Sequence, residues 1–557
     1  MSDKVRLFAL GGLDEDGKNC IVVDINNDIF VIGCGIKFPD RTMPGVDYVI
    51  PNFDWIVERK DHVKAYLLLH GHDDEIAALV YLYKDVPAPI YCSSVTASEL
   101  KGFAKHVGID SKDFDFHIIP ASCSFNVAGR KISFFQTSHN IGLSSGVAIS
   151  TDKGNIVYTG DFVVENNADK NYLHDALAIS SLGKENTLVL MSESVYASNQ
   201  GYTAPNYKIT KHIERTFKDA TGRLFIALFS NNGFNIDEII KLAVQNKKKI
   251  IPYDEESARV LEQMQSCGQL MIPRENFARS SEIIRIKSSE IVVLLLGYGA
   301  KLYNKIALFA SGQAENKMIV LNENDTFILA CPSNANTEIE ATDAHDEVFK
   351  SGCHVLNLNK KQLLKMHASE EDLKMMISVL HPKYYIPMKG SFKDLLKNAQ
   401  VALSMGINLS HQNVFLLENG LSCLIEGGEA HLFDEHIPHG DIFIDGIGVG
   451  DVQKEVIADR QALAEGVFIM SAAISIKNRR LLAGPDVQIR GLTAINDPDV
   501  MIKEVSKVFV AALSEALGDE SSDIEAIRQF VYERTLRAIR RQTGKSPMVL
   551  PLIIPVD

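Results

Sequence analysis

Two histidines and three acidic residues directly follow an apolar run in the segment LLLHGHDDEIAAL, residues 67–79. His70 and His72 are two residues apart, so in an extended backbone both imidazoles project to the same side and can share one cation. Three acids, including Asp74 and Glu75, come next and suit the positive end of a following helix. The pattern favours a metal site. The alternative is that the acids only cap the helix and the histidines are ordinary hydrogen-bonded groups.

Two further polar residues follow β-rich runs later in the chain. His139 lies in FFQTSHNIG and Asp161 in IVYTGDF. Taken alone, a histidine or an aspartate at the end of a strand is more often structural than functional. A bound divalent ion lowers the pKa of water from about 15.7 towards 7, which provides a nucleophile at neutral pH. Metal-assisted hydrolysis is therefore the chemistry that a divalent ion held by His70 and His72 would support.

The pattern of predicted helices and strands that position these residues changes along the chain. Residues 1 to about 200 alternate short apolar strands with turns, which predicts the first part of an αββα sandwich. Regular helix and strand alternation then predicts an inserted Rossmann-like parallel sheet. The predicted α/β architecture ends in a small α+β domain. The predicted boundaries are 1–203 and 354–432 for the sandwich, 204–353 for the insert, 433–452 for a linker and 453–557 for a C-terminal domain.

Composition narrows the class of protein. The chain has 557 residues, too many for one core, and a net charge of −14, so only a local basic groove would bind nucleic acid. Eight scattered cysteines form no CxxC pair and predict neither a disulfide framework nor a thiolate zinc site. No apolar run approaches 18 residues, and no signal peptide is recognised at the start. We expect a soluble cytoplasmic protein without a membrane partner.

The segment HGHDDE resembles the H-x-H-x-D-H signature of the metallo-β-lactamase superfamily, and the inserted α/β domain resembles that of β-CASP nucleases. Several stretches narrow the resemblance to the ribonuclease J family, and most closely to its second, active-site-degenerate bacterial paralogue. They are GGLDEDGKN at 11–19, GIKFPDRTMPGVDYVIPN at 35–52, MSESVYASNQGYT at 191–203, HASEEDL at 367–373, LLAGPDVQIRG at 481–491 and SPMVLPLIIPV at 546–556. The resemblance covers almost the whole chain.

The resemblance implies a set of site residues. The implied metal ligands are His70, His72, Asp74, Glu75, His139 and Asp161. The implied catalytic residues are Asp74, His367 as general acid and Glu193 as its orienting partner. The implied RNA-binding residues are Ser230, Asn231, Leu364, Lys365, Met366, His367 and Ala368.

Several positions depart from the family pattern. Glu75 and Lys389 replace two histidines of the second metal site, and Gly33 replaces an early aspartate. The family loop T-G-S-Q-G-E-P reads LGYGAKL at 296–302, and its S-G-H motif reads KMH at 365–367. A charged lysine has no lone pair for a metal, and a glutamate favours manganese or magnesium over zinc. We therefore expect zinc or manganese, with magnesium possible, and a weak or empty second site.

A specific hypothesis follows for Lys389. Its ammonium is expected near the vacated second metal position, paired with Asp74, Asp161 or Glu75. The alternative is an exposed loop lysine.

The implied function is that of a ribonuclease J-type enzyme in the maturation and decay of rRNA and mRNA, with 5′-to-3′ exonuclease activity and endonuclease cleavage as a second activity. The substitutions predict weak activity. The resemblance implies that residues 453–557 form an oligomerisation domain and that the chain is an RNA-binding partner of the active paralogue, in homodimers and hetero-oligomers and, as a further assembly, an RNA degradosome. The alternative is a fully active exo- and endoribonuclease. A small-molecule metallo-hydrolase fits the histidine motif but not the insert.

Overall fold

The computed structural model describes residues 2–165, 169–314, 319–334, 336–433, 435–446, 448–452, 454–492, 498–519 and 523–556. The chain forms two compact units, one of residues 1–38 and 48–442 and one of residues 39–47 and 443–557. Among the described residues, every helix is too short or too polar to cross a membrane.

The first part of the chain supplies most strands of a two-sheet sandwich. The strands of this part are β1 Lys4–Gly11, β2 Cys20–Ile25, β3 Asp28–Ile32, β4 Tyr48–Pro51, β5 Val63–Leu67, β6 Ile90–Cys92, β7 Phe116–Ile118, β8 Cys123–Val127, β9 Arg130–Gln136, β10 Ser145–Thr151, β11 Gly154–Tyr158 and β12 Thr187–Glu193. All of them except β4 belong to the two sheets of the sandwich. The helices are α1 Asp54–Val57, α2 Asp73–Ile76, α3 Leu79–Leu82, α4 Ser94–His106 and α5 Ala176–Lys184.

The insert alternates helices and strands. Its elements are α6 Thr210–Asp219, β13 Leu224–Phe229, α7 Gly233–Gln245, β14 Lys249–Pro252, α8 Glu255–Ser266, β15 Ile291–Gly297, α9 Gly299–Ala310, β16 Thr326–Leu329, α10 Glu338–Lys350 and β17 His354–Asn357. The five strands form a parallel sheet in the order β14-β15-β13-β16-β17, with a separate apolar cluster on each face. This is the Rossmann-like arrangement that the sequence predicts.

The predicted end of the insert at residue 353 needs a correction. Strand β17 follows that residue and pairs in parallel with β16, so it belongs to the sheet of the insert. In the sequence, HVLN and the polar stretch after it match the mixed pattern of the sandwich. In the structure it is a short, half-buried edge strand, which lacks the apolar run of the inner strands.

The chain then returns to the sandwich. The returning elements are α11 Glu370–Leu380, β18 Tyr384–Met388, α12 Phe392–Ser404, β19 Ser422–Glu426 and β20 Glu429–Phe433. One sheet has the order β20-β19-β1-β2-β3-β5-β6-β7 and the other β18-β12-β11-β10-β9-β8, so both contain strands from either side of the insert. The predicted αββα sandwich is confirmed.

Alternation along the strands builds the core of the sandwich. In β1, Leu7 and Ala9 face the apolar layer between the sheets, whereas Phe8 faces away and packs against Trp55 of α1 with ring centroids 4.8 Å apart. Helices α5, α11 and α12 share an apolar cluster with the outer face of the six-stranded sheet. The site residues therefore start from strands buried on both faces.

The second unit has a core of its own. The elements after the sandwich are β21 Asp441–Asp445, β22 Gly448–Val452, α13 Lys454–Ala464, β23 Val467–Ser475, β24 Arg480–Arg490, α14 Pro498–Leu517, α15 Ile524–Thr543 and β25 Met548–Pro555. Strand β23 lies between β24, antiparallel to it, and β25, parallel to it, and α14 and α15 complete the apolar cluster. The predicted linker 433–452 contains β21 and β22; its residues 434 and 447 lie outside the described residues.

Candidate metal centre and catalytic site

Strand direction brings four of the predicted residues to one edge of the six-stranded sheet. Strands β11, β12 and β18 are parallel, and β9 runs the same way because β10 is antiparallel to both of its neighbours. His139 follows β9, Asp161 follows β11, Glu193 ends β12 and Lys389 follows β18. Carboxyl ends of strands with a common direction meet at a common edge, so residues hundreds of positions apart become neighbours.

The eight-stranded sheet positions His70, His72 and the acids that follow them at the same edge of the sandwich. Strand β5 ends at Leu67, and the backbone N–H of Ser145 in β10 donates to the carbonyl of Leu69 at 3.0 Å, which joins the two sheets beside His70. His72 has an extended backbone and directly precedes α2, so Asp74 lies in the first turn of that helix.

Four of the predicted ligands converge. Donor atoms of His70, His72, His139 and Asp161 all lie within 4.8 Å of one another. The Nε2 atoms of His70 and His139 each lie 3.5 Å from Oδ2 of Asp161, and Nε2 of His139 lies 3.3 Å from Nδ1 of His72. Among the described residues, neither ring nitrogen of buried His70 nor Oδ1 of Asp161 has a hydrogen-bond partner. Buried nitrogen and oxygen atoms nearly always have a hydrogen-bond partner, so atoms without one are consistent with a role as metal ligands.

The charges of these groups suit a cation. Burial lowers the pKa of His70 to about 3 and also lowers the pKa of His72 and His139, so all three imidazoles are neutral at pH 7. Although burial opposes it, the Lys389 ammonium holds the pKa of Asp161 well below its usual range, and this carboxylate stays charged. Three neutral imidazoles and a carboxylate fit a divalent ion such as zinc or manganese.

Lys389 is buried beside this cluster, so the alternative of an exposed loop lysine is wrong. Its Nζ lies 2.7 Å from Oδ2 of Asp161, 2.9 Å from Oε1 of Glu75 and 3.1 Å from Oδ2 of Asp74. Although burial lowers it, these carboxylates raise the pKa of Lys389 well above its usual value. All three pairings considered from the sequence are present at once.

The other two carboxyls respond to Lys389 differently. Burial raises the pKa of Glu75 to about 8, against the opposing effect of the ammonium. For Asp74 burial raises the pKa, but the ammonium together with the neighbouring His72 and His70 outweighs burial and lowers the pKa to about 2. Gly33 has a φ of +70° and lies beside the carboxyl of Glu75. A Cβ at this position would lie 3.0 Å from Oε2 of Glu75.

A second group adjoins Asp161. Nδ1 of His367 lies 2.6 Å from Oε2 of Glu193 and 3.8 Å from Oδ2 of Asp161. Glu193 is fixed at its other oxygen, Oε1, which accepts from the backbone N–H groups of Phe162 and Ala368 at 2.8 and 3.1 Å. Although burial lowers it, the negative charges of Glu193 and Asp161 raise the pKa of His367 above its usual value.

The residues predicted to contact RNA reach the same histidines through their backbones. The carbonyl of Asn231, after β13 of the insert, lies 3.3 Å from Nε2 of His72, and the carbonyl of Met366 lies 2.6 Å from Nδ1 of His139. Ser230 is buried beside Asn231, and Lys365 is exposed. Leu364 is half-buried, and Ala368 is buried.

Two contacting residues were not predicted. Nδ2 of Asn19 donates to Oδ2 of Asp74 at 3.1 Å, so it shares that oxygen with Lys389. The ring of Tyr196 packs 5.6 Å from that of His367, and its hydroxyl accepts from the backbone N–H of Lys365 at 3.2 Å. Both lie in stretches that carry the family resemblance, which was the available signal.

Comparisons with known proteins agree with this geometry. Family models match three parts of the chain: a beta-lactamase superfamily domain over residues 44–178, the ribonuclease J beta-CASP domain over 221–340 and the ribonuclease J C-terminal domain over 455–556. Proteins named Ribonuclease J 2 from Staphylococcus epidermidis and Staphylococcus aureus are each 30% identical over 550 residues, 99% of this chain and 98% of theirs.

A solved structure shares the fold. A protein of unknown function from Enterococcus faecalis covers 77% of this chain and 100% of its own, with a TM-score of 0.51 and 15% identity.

Proposed function

Since the chain belongs to the ribonuclease J family of metal-dependent ribonucleases, we propose that it degrades and matures RNA from the 5′ end, with endonucleolytic cleavage as a second activity and with slow turnover. The observation that carries the proposal is the common position of Asp161. Its Oδ2 faces the three histidines of the metal cluster and lies 3.8 Å from His367, the candidate general acid. A metal-binding group and a proton donor thus share one cleft.

The metal would supply a water molecule of lowered pKa as the attacking nucleophile. His70, His72, His139 and Asp161 would hold the ion, because their donor atoms converge and several of these atoms lack other partners. The burial of His70, His139 and Asp161 limits competition from water for these positions.

His367 would protonate the departing 3′ oxygen of the RNA. With Nδ1 held by Glu193 at 2.6 Å, the ring has a fixed orientation, and Nε2 is left to face the substrate. The raised pKa of His367 keeps the imidazolium form populated near neutrality, as a general acid requires.

Slow turnover follows from the second metal position. Enzymes that cleave phosphodiesters with two metals stabilise both the attacking and the leaving oxygen. Here Glu75 and Lys389 stand in place of two ligands and bond to each other at 2.9 Å. Leaving-group stabilisation would therefore rest on His367.

RNA would lie between the sandwich and the insert. Ser230 and Asn231 stand where the chain leaves β13, and residues 364–368 lead into α11, with both segments touching metal-site histidines. Backbone N–H groups and the Ser230 hydroxyl can donate hydrogen bonds to a terminal phosphate. The exposed side chain of Lys365 can form an ion pair with a phosphate of the RNA backbone.

The test uses two RNAs of one sequence, a linear form with a 5′-monophosphate and a circular form without ends. Each is incubated with the full-length protein and zinc, manganese or magnesium. We expect slow release of nucleotides from the linear RNA and slower cleavage of the circle. Cleavage of neither RNA with any of the three metals would contradict the proposal, and rapid turnover would favour the fully active alternative.

Matched variants identify the active residues. His367→Asn should lower the cleavage rate by 100-fold or more, within the range of about 10²- to 10⁴-fold that general acids contribute. Its control is His354→Asn, at an exposed histidine of the insert, which should leave the rate unchanged. Equal losses in both variants would remove His367 from the mechanism.

We also propose that the protein acts as a subunit, both as a homodimer and with an active ribonuclease J paralogue. The support is the match of residues 455–556 to the ribonuclease J C-terminal domain. Light scattering on the full chain, alone and mixed with the active paralogue of the same genome, measures this directly. Monomers in both samples would rule out the assembly.

A further inference from the structure

We propose that the Lys389 ammonium permanently replaces the second metal ion, so that each chain binds one divalent cation, with Asp161 bridging that cation and the ammonium. This inference rests on the proposed metal-dependent function. It concerns a positive charge that the chain supplies itself.

Asp161 provides the bridge. Its Oδ2 lies 2.7 Å from Nζ of Lys389 and 3.5 Å from Nε2 of both His70 and His139. Oδ1 of the same carboxylate has no hydrogen-bond partner among the described residues. One carboxylate thus faces a cation-binding group on one side and a cation on the other, as it would between two metals.

The position of the ammonium is fixed by the backbone. Lys389 has a φ of +58°, a left-handed conformation that is costly for a residue with a side chain. Its carbonyl accepts from the N–H of Ser194 at 3.2 Å, and the N–H of Gly390 donates to the carbonyl of Gly12 at 3.3 Å. The chain end of β18 is therefore anchored on both sides, and the side chain is directed inward.

The ammonium has no donor left for a substrate. Lysine carries three N–H donors, and three carboxylate oxygens, from Asp74, Glu75 and Asp161, lie within 3.1 Å of Nζ. Lys389 can neutralise these acids, but it cannot polarise an RNA oxygen or position a water as a metal would. It therefore preserves the fold of the site without its full chemistry.

The same oxygens would be needed by a second ion. A divalent metal bound at the usual 2.0–2.2 Å from carboxylate oxygens would have to share the space that Nζ occupies between them. Two cations in contact in a buried site repel each other strongly. The ammonium and a second metal therefore exclude each other.

The experiment counts ions. The full-length protein is stripped with a chelator, reloaded with Mn²⁺, freed of excess metal and analysed for manganese per chain. Wild type should hold one ion, with the electron paramagnetic resonance spectrum of isolated Mn²⁺. The variant E75H/K389H, which introduces two imidazoles, should hold two ions and show spin coupling between them.

A lysine at the other end of the same strand provides the control. Lys383 precedes β18 and forms an exposed pair with Glu429, so K383M should keep one isolated ion. Two ions or none in wild type would overturn the inference, as would a folded E75H/K389H protein that still holds one. If that variant fails to fold, the wild-type count and spectrum decide alone.

The count is independent of RNA cleavage. One ion per chain without cleavage of RNA would contradict the proposed function and leave this inference standing. Cleavage of RNA by a wild-type protein that holds two spin-coupled ions would support the proposed function and overturn this inference.

Discussion

Replacing Lys389 by methionine removes the charge and retains most of the side-chain volume. In metal-free protein this leaves the half-buried carboxylate of Asp74 and the buried carboxylate of Asp161 without a cation, at sites where Nζ now lies 3.1 and 2.7 Å away. With an effective dielectric constant near 20, each such contact is worth roughly 5 kcal/mol. Dehydration of the ammonium offsets part of this, so we expect a loss of about 3 to 5 kcal/mol, the range for breaking a buried pair.

The single tryptophan offers a local readout. Trp55 packs on Phe8 of β1, so its fluorescence follows the sandwich rather than the insert or the second unit. In the presence of EDTA at pH 7, K389M should lower the midpoint of the Trp55 transition by about 6 to 10 °C, from roughly 2 °C per kcal/mol for a unit of this size. K383M, at an exposed pair, should change the stability by less than about 1 kcal/mol.

Added Mn²⁺ should then distinguish the variants. In K389M the freed carboxylates can bind an additional ion, and an ion at 100 times its Kd stabilises the folded state by about 2.7 kcal/mol. Manganese should thus stabilise K389M more than wild type. Equal midpoints for K389M and K383M in EDTA would refute the reasoning, because the buried carboxylates would then not depend on the ammonium.

Three further predictions use the same fluorescence readout. Gly35→Ala should destabilise the sandwich by more than about 3 kcal/mol, since the added Cβ would lie 1.6 Å from the carbonyl oxygen of Asp74; a smaller loss would mean that the backbone yields easily. Asp372→Ala should cost about 3 kcal/mol, because its carboxylate accepts from three buried backbone N–H groups, whereas Asp372→Asn, which keeps one acceptor oxygen, should lose less. Hydrogen bonding to Arg130 lowers the pKa of Asp3 from 3.8 to about 2, so wild type should exceed Asp3→Asn in stability above pH 4 by about 1 to 2 kcal/mol, and this margin should disappear as the pH falls towards 2; a margin independent of pH would contradict the assignment.

The ligands that could be predicted are those that follow strands. His70, His139 and Asp161 each come after a buried apolar run, and the structure brings them together because those strands end at one edge of the sandwich. A polar residue at that place in a sequence is conspicuous. Strand β17, in contrast, is a short, half-buried edge strand whose sequence HVLN has no long apolar run, so its pattern does not distinguish the insert from the sandwich and the predicted boundary falls too early.

Contacts made by loops were harder to predict. Asn19 reaches Asp74 because the glycine turn before it folds back over the site, and Tyr196 reaches His367 from the segment after β12. Neither contact has a periodicity that a sequence could display. For Lys389 the family resemblance indicated a cation near the acids, but the simultaneous contact with all three carboxyls depends on a positive φ, which the sequence does not reveal.

The ammonium also changes what holds the sandwich together. Lys389 and Glu75 are separated by 314 positions, with the whole insert between them, and they meet only when β18 has paired with β12. A metal ion could bind from solution and neutralise the acids at any stage of folding. The ammonium of Lys389 can do so only after β18 has joined the sheet. Neutralisation of the site is therefore coupled to closure of the six-stranded sheet, and the acids repel one another until that strand is in place. For this reason the metal-free wild type should keep the full stability of its sandwich, whereas metal-free K389M should be less stable and regain part of that loss when cations are added.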